Sequence, residues 1–349
     1  MPKVSIIIII YRVERFLEQC LKSVTEQTYE NLEIICVVGK GDSACEEICD
    51  RTAAGDPRVI VLKKEPQGTA VARNQGLDAA SGEYIGFVDG DDYIAPDMIE
   101  IMVNAAKKYQ ADISVVGKFY TYENCIDGTT EDKEYVYHTQ QAFETILYQE
   151  GFFLHLWDKL YKRELFRSIR FLPGQLVEDR QIACSILLQA DRIVYHTASK
   201  YYFRVSEDSG SHIEKNLMLS LQADYEICEK LLELYPGLQD AVDFFLVYEN
   251  MSVIQNSILY GAFSKEHDQE YLSYVATHAK KVKKDPRVPG SIKMKMTLCN
   301  ISGTLFSIVT RYRRNKFLKN HRLYRTGIDW TATFHEQGML RSGSRNGKE

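Results

Sequence analysis

Short apolar runs alternate with segments of helical periodicity through the first third of this chain. Val4 to Ile10 and Leu32 to Val38 are predominantly apolar runs, typical of strands covered on both faces of a sheet. Between them, Leu17, Leu21 and Val24 recur at the spacing of one helix face. Further strands are predicted at 59–62, 83–88 and 113–116, and further helices at 43–54, 69–80 and 96–109. This alternation predicts βαβ units and therefore a mostly parallel sheet flanked by helices.

The predicted sheet brings three loops to one edge, because ligands of parallel α/β sheets bind outside the carboxyl ends of the strands. These loops follow Ile10, Val38 and Val88. The third, Asp89 to Asp92, holds three carboxylates within four positions, and Gly90 allows a close bend. Such carboxylates suit a hard divalent cation, Mg²⁺ or Mn²⁺, that also binds substrate phosphates. The stretch alone leaves open an acidic turn or a helix N-cap.

The bulk composition is that of a globular protein. The 349 residues are 45% hydrophobic and 26% charged, with a formal net charge of −5, which suits one large domain or two smaller ones. The eight cysteines have no zinc-site spacing and no secretory signal precedes the first strand, so we expect reduced thiols and a cytoplasmic protein. No apolar run reaches the about 18 residues of a membrane span.

Several ordered segments resemble those of the family 2 glycosyltransferases over about residues 3–205. They are, in chain order, Val4–Ile8 with Tyr11, Val13–Leu17, Gln27–Tyr29, Ala72–Leu77, Gly82–Asp92, Trp157–Tyr161 and Glu178–Asp179. The resemblance implies a GT-A fold followed by a helical C-terminal region. It also implies transfer of a sugar from a nucleoside-diphosphate donor, with inversion, in surface polysaccharide or glycoconjugate biosynthesis.

The chemistry of sugar transfer assigns roles to the acidic turn. Expelling a nucleoside diphosphate builds negative charge on a phosphate oxygen, which a divalent cation, Mn²⁺ or Mg²⁺, stabilises. We predict Asp91 as the first metal ligand, and Asp89 as a second ligand or a ribose contact. Arg73 is predicted to face the diphosphate, unless it is only a surface residue of its helix.

Other predicted donor contacts come from the first two loops. They are Tyr11, Glu14, Gly39 and Asp42, with Gly90 beside the acidic pair. Tyr11 would wall the nucleotide pocket or, alternatively, would be a core ring. A UDP-sugar is the donor that we expect first.

Acceptor chemistry requires a positioned base, for which a carboxylate is suitable. We predict Asp179 as this base and Glu178 as a residue that orients it; the alternative is that both only cap the following helix. Trp157 and Lys159 are predicted to bind a saccharide or polyprenyl-linked acceptor. Trp157 is otherwise a core ring and Lys159 a solvated cation.

The chain departs from the family pattern at the expected nucleobase end. Where relatives have Val-Asp-Asp-Gly-Ser after the second strand, the register gives Val37-Val38-Gly39-Lys40-Gly41. An aspartate expected to contact the base is therefore replaced, and Asp42 lies three residues beyond its place. Three consequences remain open: a different nucleotide, a loop that brings Asp42 round, or weaker donor binding.

The domain prediction separates an acidic body from a basic tail. Residues 1–212 would be the glycosyltransferase domain, with a donor-binding half at 1–117 and an acceptor half at 118–212. Residues 213–337 would be the helical region, and 338–349 are Gly/Ser-rich and predicted to be disordered.

The basic tail is the segment Lys280 to Arg325, which has 14 Lys or Arg and one acid and leaves −18 for the remainder. A helix with Ile301, Leu305 and Ile308 on one face would bind an anionic membrane surface, or would pack on the body. No nucleic-acid motif accompanies the charge, so we expect no nucleic-acid partner.

Three function classes compete. The first is a metal-dependent inverting glycosyltransferase, and the second is a non-catalytic relative that uses the same fold as a binding or scaffold subunit. The third, a nucleotidyltransferase, would have a Gly-rich phosphate loop after the first strand, where this chain has Tyr11-Arg12-Val13-Glu14.

Overall fold

The computed structural model describes residues 1–173, 178–207, 214–259, 263–264, 266 and 268–325. Its strands are β1 (Val4–Ile10), β2 (Leu32–Gly39), β3 (Val59–Lys64), β4 (Tyr84–Asp89), β5 (Tyr93–Ile94), β6 (Ile113–Thr121), β7 (Ile126–Asp127), β8 (Glu134–His138), β9 (Lys159–Lys162) and β10 (Arg192–Arg204). Its α-helices are α1 (Glu14–Thr25), α2 (Ser43–Gly55), α3 (Thr69–Ala79), α4 (Met98–Tyr109), α5 (Thr139–Leu147), α6 (Glu178–Leu187), α7 (Glu214–Leu234), α8 (Gln239–Leu259), α9 (Gln269–Val282), α10 (Gly290–Ile301) and α11 (Gly303–Asn320).

The strands form one sheet in the order β3-β2-β1-β4-β9-β6-β10-β5, with β7 on β6 and β8 on β10. The first four are parallel, as the βαβ pattern predicts. Beyond them the sheet is mixed, because the short strand β9 lies antiparallel between β4 and β6. The fourth βαβ unit therefore has its new strand, β6, two positions away from β4.

The predicted elements in the first third are confirmed with small shifts at their ends. Helix α1 ends at Thr25, and the backbone N–H of Thr28 donates to the Pro96 carbonyl at 2.8 Å. Gln27 is buried, and its side-chain oxygen accepts from the Ile99 N–H in the first turn of α4. Side-chain capping of this kind is invisible to periodicity, since the two residues are 72 apart.

The helical C-terminal region shares one apolar core with the sheet. Residues of α8, α9 and α11, such as Phe244, Val275 and Phe306, belong to the same buried cluster as Ile7 and Phe87 of the central strands. After α11 the chain returns to the body, where Tyr324 pairs with Ser206. The predicted boundary at 212/213 and the predicted disorder at 338–349 lie outside the described residues.

The cysteines and the helices bear on two expectations from composition. All eight cysteines are free thiols, and seven of them are buried. Among the described residues, none of the helices is long and apolar enough to cross a membrane.

Candidate active site

The carboxyl ends of β1, β2 and β4 meet at one edge of the sheet. In the parallel register Ile9 pairs with Asp89 and Ile10 pairs with Val38. The residues that follow, Tyr11 and Gly39, therefore lie beside the acidic turn. This is the juxtaposition of three loops that the sequence predicts.

The acidic segment forms a tight turn in which the Asp92 N–H donates to the Asp89 carbonyl at 3.0 Å. A Cβ at Gly90 would lie 3.0 Å from the Ile9 carbonyl oxygen and 3.0 Å from a Val13 methyl. A side chain at this position would therefore push the turn away from β1, and glycine keeps Asp89 and Asp91 close to the sheet edge.

Asp92 braces the turn from inside the protein. It is 1% exposed, and its carboxylate accepts from the Tyr201 hydroxyl at 2.9 Å and from the Arg204 N–H at 2.7 Å. Tyr201 in turn accepts from the Asp89 N–H at 3.1 Å. Burial raises the pKa of Asp92 well above its ordinary range, and the nearby Asp91 and Asp89 raise it further. Because the Asp92 carboxylate is enclosed and already hydrogen-bonded, we assign it to stabilising the turn and not to binding a ligand.

Asp91 differs from Asp92 in what surrounds its carboxylate. Burial raises the pKa of Asp91, while the charge of Arg204 lowers it. No side-chain donor bonds this carboxylate among the residues that the structure describes. A partly buried carboxylate without such a donor, on a turn beside Asp89, suits a hard divalent cation whose other ligands come from water or phosphate. The two residues therefore fit the predicted metal.

Arg204 is a site residue that the sequence did not reveal. Its guanidinium donates to the Asp91 carbonyl and to the Gln19 side chain. It also lies over the rings of Phe16 and Tyr93, at 4.7 and 4.8 Å from their centroids. Arg204 is the last residue of β10, and the strand order brings this end of β10 next to the acidic turn. Its role could therefore be inferred only once the topology is known.

The nucleobase end is an exposed loop closed by Asp42. This side chain accepts from the Arg12 N–H at 2.6 Å and from the Cys45 N–H at 3.4 Å, so it joins the loop after β1 to the start of α2. Its carboxylate, a Glu14 oxygen and the Cys45 sulfur all lie within 4.8 Å of one another. These contacts fix Asp42 between the two loops, and its role in donor binding stays a prediction.

Gly39 takes the position of that aspartate, and a ring fills the space beside it. A Cβ built on Gly39 would lie 3.0 Å from Cδ2 of Tyr11. Tyr11 is partly exposed and stacks under the Arg12 guanidinium, 5.0 Å from the ring centroid. The partly exposed ring favours the predicted pocket wall over the core alternative, although its donor-binding role stays a prediction.

Arg73 lies on α3 above Phe171, with its guanidinium 5.4 Å from the ring centroid. The neighbouring Asn74 clamps the backbone of Phe171 through two hydrogen bonds, at 2.8 and 3.0 Å. These two hydrogen bonds hold the backbone of Phe171 against α3. The sequence identified Asn74 only as part of a motif.

Glu178 and Asp179 form the first turn of α6 rather than preceding it. The Asp179 carboxylate is partly exposed and accepts from the Arg180 N–H at 2.9 Å. The buried Tyr161 has a pKa well above the ordinary value, raised by burial and by Asp158 and Asp179 and lowered by Arg73. The charges of Asp179 and Arg73 therefore shift the pKa of the same Tyr161 hydroxyl, in opposite directions. The Glu178 side chain lies outside the described residues.

The two predicted acceptor contacts are interior side chains. Trp157 is 9% exposed and stacks on His155, Tyr201 and Phe203. The buried Lys159 ammonium donates to Asp158 and, at 2.8 Å, to the His155 carbonyl, and burial lowers its pKa. These contacts favour the core alternative for Trp157, and Lys159 is not the solvated cation of the other alternative. Acceptor binding by either residue stays a prediction.

Comparison with known proteins identifies relatives by sequence. The family model described as Glycosyl transferase family 2 matches residues 5–174. The glycosyltransferase GlyA of Streptococcus pneumoniae is 34% identical over 60% of this chain and 32% of its own length, so the chain matches about a third of that relative. The glycosyltransferase GlyG of the same species is 32% identical over 63% of this chain and 76% of GlyG.

The architecture is also shared with solved structures. A crystal structure of S. aureus TarS in complex with UDP-GlcNAc superimposes with a TM-score of 0.62, at 18% identity, over 93% of each chain. The superposition covers the sheet and the helical C-terminal region together.

Proposed function

Because this chain belongs to glycosyltransferase family 2 and has its GT-A fold, we propose that it transfers a sugar from a nucleoside-diphosphate donor to a saccharide or lipid-linked acceptor, with inversion. The process that it serves is the assembly of a surface polysaccharide or glycoconjugate. The observation that carries the proposal is the Asp89–Asp92 turn at the end of β4, where no side-chain donor among the described residues bonds the Asp91 carboxylate.

At the donor end, Asp91 together with Asp89 would hold Mn²⁺ or Mg²⁺. Such an ion would supply positive charge against the negative charge that develops on the leaving oxygen. Arg73 adds a fixed positive charge on the same side of the site. Arg204 and Asp92 keep the turn in place through backbone contacts and leave the Asp91 carboxylate to the ion.

At the acceptor end, Asp179 takes the proton from the attacking hydroxyl. A base at the start of α6 and a leaving diphosphate at the end of β4 support a single displacement, which inverts the configuration of the sugar carbon. Glu178 precedes the base in the same turn and would orient it.

A uridine nucleotide is the first donor to test. TarS, whose fold matches over almost the whole chain, is solved with UDP-GlcNAc. In this chain the base would stack against Tyr11, with Asp42 at the mouth of the loop.

A donor panel tests the proposal. Wild type and Asp91→Ala are incubated with UDP-, GDP- and other nucleotide sugars with Mn²⁺, Mg²⁺ or EDTA, and nucleotide release and calorimetric binding are measured. Metal-dependent release by wild type alone supports the proposal. No release and no binding with any donor would instead favour the non-catalytic, scaffold function.

We also propose that the outer face of α11 binds an anionic membrane surface, which would bring the enzyme to a lipid-linked acceptor. Leu305, Ile308 and Tyr312 follow the spacing of one helix face and are exposed, the last two by 61% and 69%. Arg311 and Lys316 lie exposed beside them. Apolar side chains flanked by cations, on a helix attached to the body, fit an interfacial helix.

Vesicle flotation tests this attachment best with point variants. Truncation after Pro289 would also remove Phe306 from the core and Tyr324 from its contact with Phe16. Ile308→Ser/Tyr312→Ser should float less than wild type on phosphatidylglycerol vesicles. The matched control, Tyr135→Ser/Val136→Ser on exposed strand β8, should float as wild type does.

Equal flotation of all three proteins, or flotation on phosphatidylcholine that matches phosphatidylglycerol, would contradict the membrane proposal. The donor panel and this assay are independent, because nucleotide release does not require vesicles.

A further inference from the structure

The first turn of α6, which carries Asp179, is joined by an ion pair to the helical C-terminal region. Arg180, the next residue of α6, pairs with Asp224 of α7 at 2.5 Å. Asp224 is 1% exposed, whereas the Arg180 side chain is about a third exposed. The pair therefore joins the start of the candidate catalytic helix to the interior of the helical region.

The charge of a second acid from that region also acts on Arg180. Glu249 of α8 has its pKa raised to about 7 by burial and by the charge of Asp224, and lowered by Arg180. Asp179, Asp224 and Glu249 all favour the charged form of Arg180 and hold its pKa above the ordinary value, against the effect of burial. The charges of three carboxylates from three different helices therefore act on this cation, and Asp224 is the one paired with it.

This arrangement has a mechanical consequence for Asp179. The Arg180 N–H donates to the Asp179 carboxylate, so the backbone at 180 and the base share a contact. The other end of Arg180 is fixed by a nearly inaccessible acid. A guanidinium fixed at its far end restricts where the first turn of α6 can lie. Displacement of a reacting group by about 1 Å costs on the order of 100-fold in rate.

We propose that Asp224 is a positioning residue for the sugar transfer: by holding Arg180 it fixes the turn that carries the base Asp179. The helical C-terminal region is then part of the catalytic apparatus. The assignment of Asp179 as the base rests on the function proposed above, whereas the restraint on the turn does not.

The competing explanation is a buried ion pair that only stabilises the packing of α6 on α7. Removing one partner of such a pair leaves an uncompensated charge and destabilises the fold. The experiment therefore needs a readout that a loss of folded protein would not produce, and a control contact between the same two helices.

The chain provides that control one residue further along. The Gln181 side chain donates to Glu226 at 3.0 Å, so this contact also joins α6 to α7 but does not involve Arg180. Asp224→Asn and Glu226→Gln each remove one carboxylate charge from α7. Asp224→Glu keeps the charge and serves as the conservative variant.

Kinetics with the donor that the panel identifies give the first test. We expect Asp224→Asn to lower kcat for donor turnover by roughly 10- to 100-fold with calorimetric Kd and stoichiometry for the donor unchanged, and Asp224→Glu to recover part of the loss. Glu226→Gln should keep the wild-type kcat. A wild-type kcat in Asp224→Asn, or a loss matched by an equal loss of donor-binding stoichiometry, would overturn the proposal.

A double variant separates position from charge. Arg180→Met/Asp224→Met removes both charges, so the fold should keep a Tm near that of wild type. We expect its kcat to stay as low as that of Asp224→Asn, because the anchor is gone. Recovery of the wild-type kcat would mean that Asp224 only neutralises Arg180.

Hydrogen exchange of the peptide covering residues 178–187 tests the restraint without any activity. Faster exchange in Asp224→Asn but not in Glu226→Gln supports positioning, and equal exchange in the two variants overturns it. If wild-type protein turns over no donor, the proposed function fails, and the exchange result alone still decides the restraint.

Discussion

The Asp89–Asp92 turn and the Gly39–Asp42 loop lie at the same sheet edge, but different surroundings hold them. The turn is braced from inside by Asp92, Tyr201 and Arg204. The loop is held at the surface, where Asp42 caps α2 and bonds the Arg12 backbone. Interior bracing ties the turn to the core, whereas the contacts of Asp42 hold the loop at the surface. The chain departs from its family's pattern at the loop and keeps it at the turn.

This comparison predicts that substitutions in the Asp89–Asp92 turn and in the Gly39–Asp42 loop have different kinetic effects. Substitutions at the turn should change the rate of the chemical step, and substitutions at the loop should change donor affinity. Four predictions test the difference, in order of decreasing expected effect.

The largest effect is expected at Asp91. Asp91→Asn keeps the shape but removes the charge that would hold the cation, so we expect kcat to fall by roughly 100- to 1000-fold. Nucleotide release with Mn²⁺ from the donor found in the panel measures it. Asp78→Asn, on the exposed side of α3, is the charge-matched control. A near wild-type kcat in Asp91→Asn would mean that the turn takes no part in the chemical step.

The next effect is expected beneath the turn. Tyr201→Phe removes the hydroxyl that links the Asp89 N–H to the Asp92 carboxylate. We expect a loss of unfolding free energy of about 1–3 kcal/mol, since buried polar groups lose their partner, with a lower kcat. Denaturant unfolding and donor turnover measure the two effects. Loss of stability with an unchanged kcat would limit Tyr201 to folding.

A third prediction concerns pH. Here the substitution should stabilise the fold, whereas Tyr201→Phe should destabilise it. Burial raises the pKa of Asp91 in the folded protein above its ordinary value of 3.8. As pH rises from 3.8 to the folded pKa, the folded state binds more protons than the unfolded state, so the unfolding free energy falls. Asp91→Asn should therefore raise Tm at neutral pH by roughly 2 °C or more.

Thermal scans between pH 4 and pH 8 without metal check this gain, which should shrink towards low pH. Mn²⁺ should also reduce it, because the ion stabilises the wild-type carboxylate and not the amide. A Tm that is lower in Asp91→Asn than in wild type at pH 7 would contradict the burial argument.

The smallest effect is expected at the loop. Asp42→Ala removes the cap of α2 and the bond to the Arg12 N–H, and should cost about 1 kcal/mol of stability. Donor Kd should weaken with kcat nearly unchanged. Calorimetry and turnover on the same preparation separate the two quantities. A large loss of kcat with an unchanged Kd would break the division between the two ends.

The sequence predicted the parts of the fold that local pattern encodes. The runs Val4–Ile10 and Leu32–Gly39 form adjacent parallel strands because β-branched residues suit a sheet covered on both faces. The meeting of Tyr11, Gly39 and Asp89 followed from topology alone. Asp42 caps α2 because a short acidic side chain directly precedes that helix, which is also a local pattern.

The parts that were missed depend on contacts between distant residues. Strand β9 has four residues with a lysine at each end, so its pairing between β4 and β6 leaves no periodic signal. Arg204 and Tyr201 brace the turn from more than 100 positions away. Lys159 was predicted to bind the acceptor or, alternatively, to be solvated, and it is buried in an ion pair with Asp158. Such contacts come from tertiary packing, which one-dimensional spacing does not contain.

The return of the chain after α11 has a consequence for biosynthesis. Tyr324 packs on Phe16 with ring centroids 5.7 Å apart, and the Arg325 carbonyl accepts from the Arg15 side chain at 2.9 Å. Phe16 is also the ring under the Arg204 guanidinium. On the ribosome the N-terminal segments emerge first, yet the support beneath the acidic turn is completed only when the residues near 324 leave the tunnel. Nascent chains that stop short of this point would carry the donor motifs in an unfinished setting.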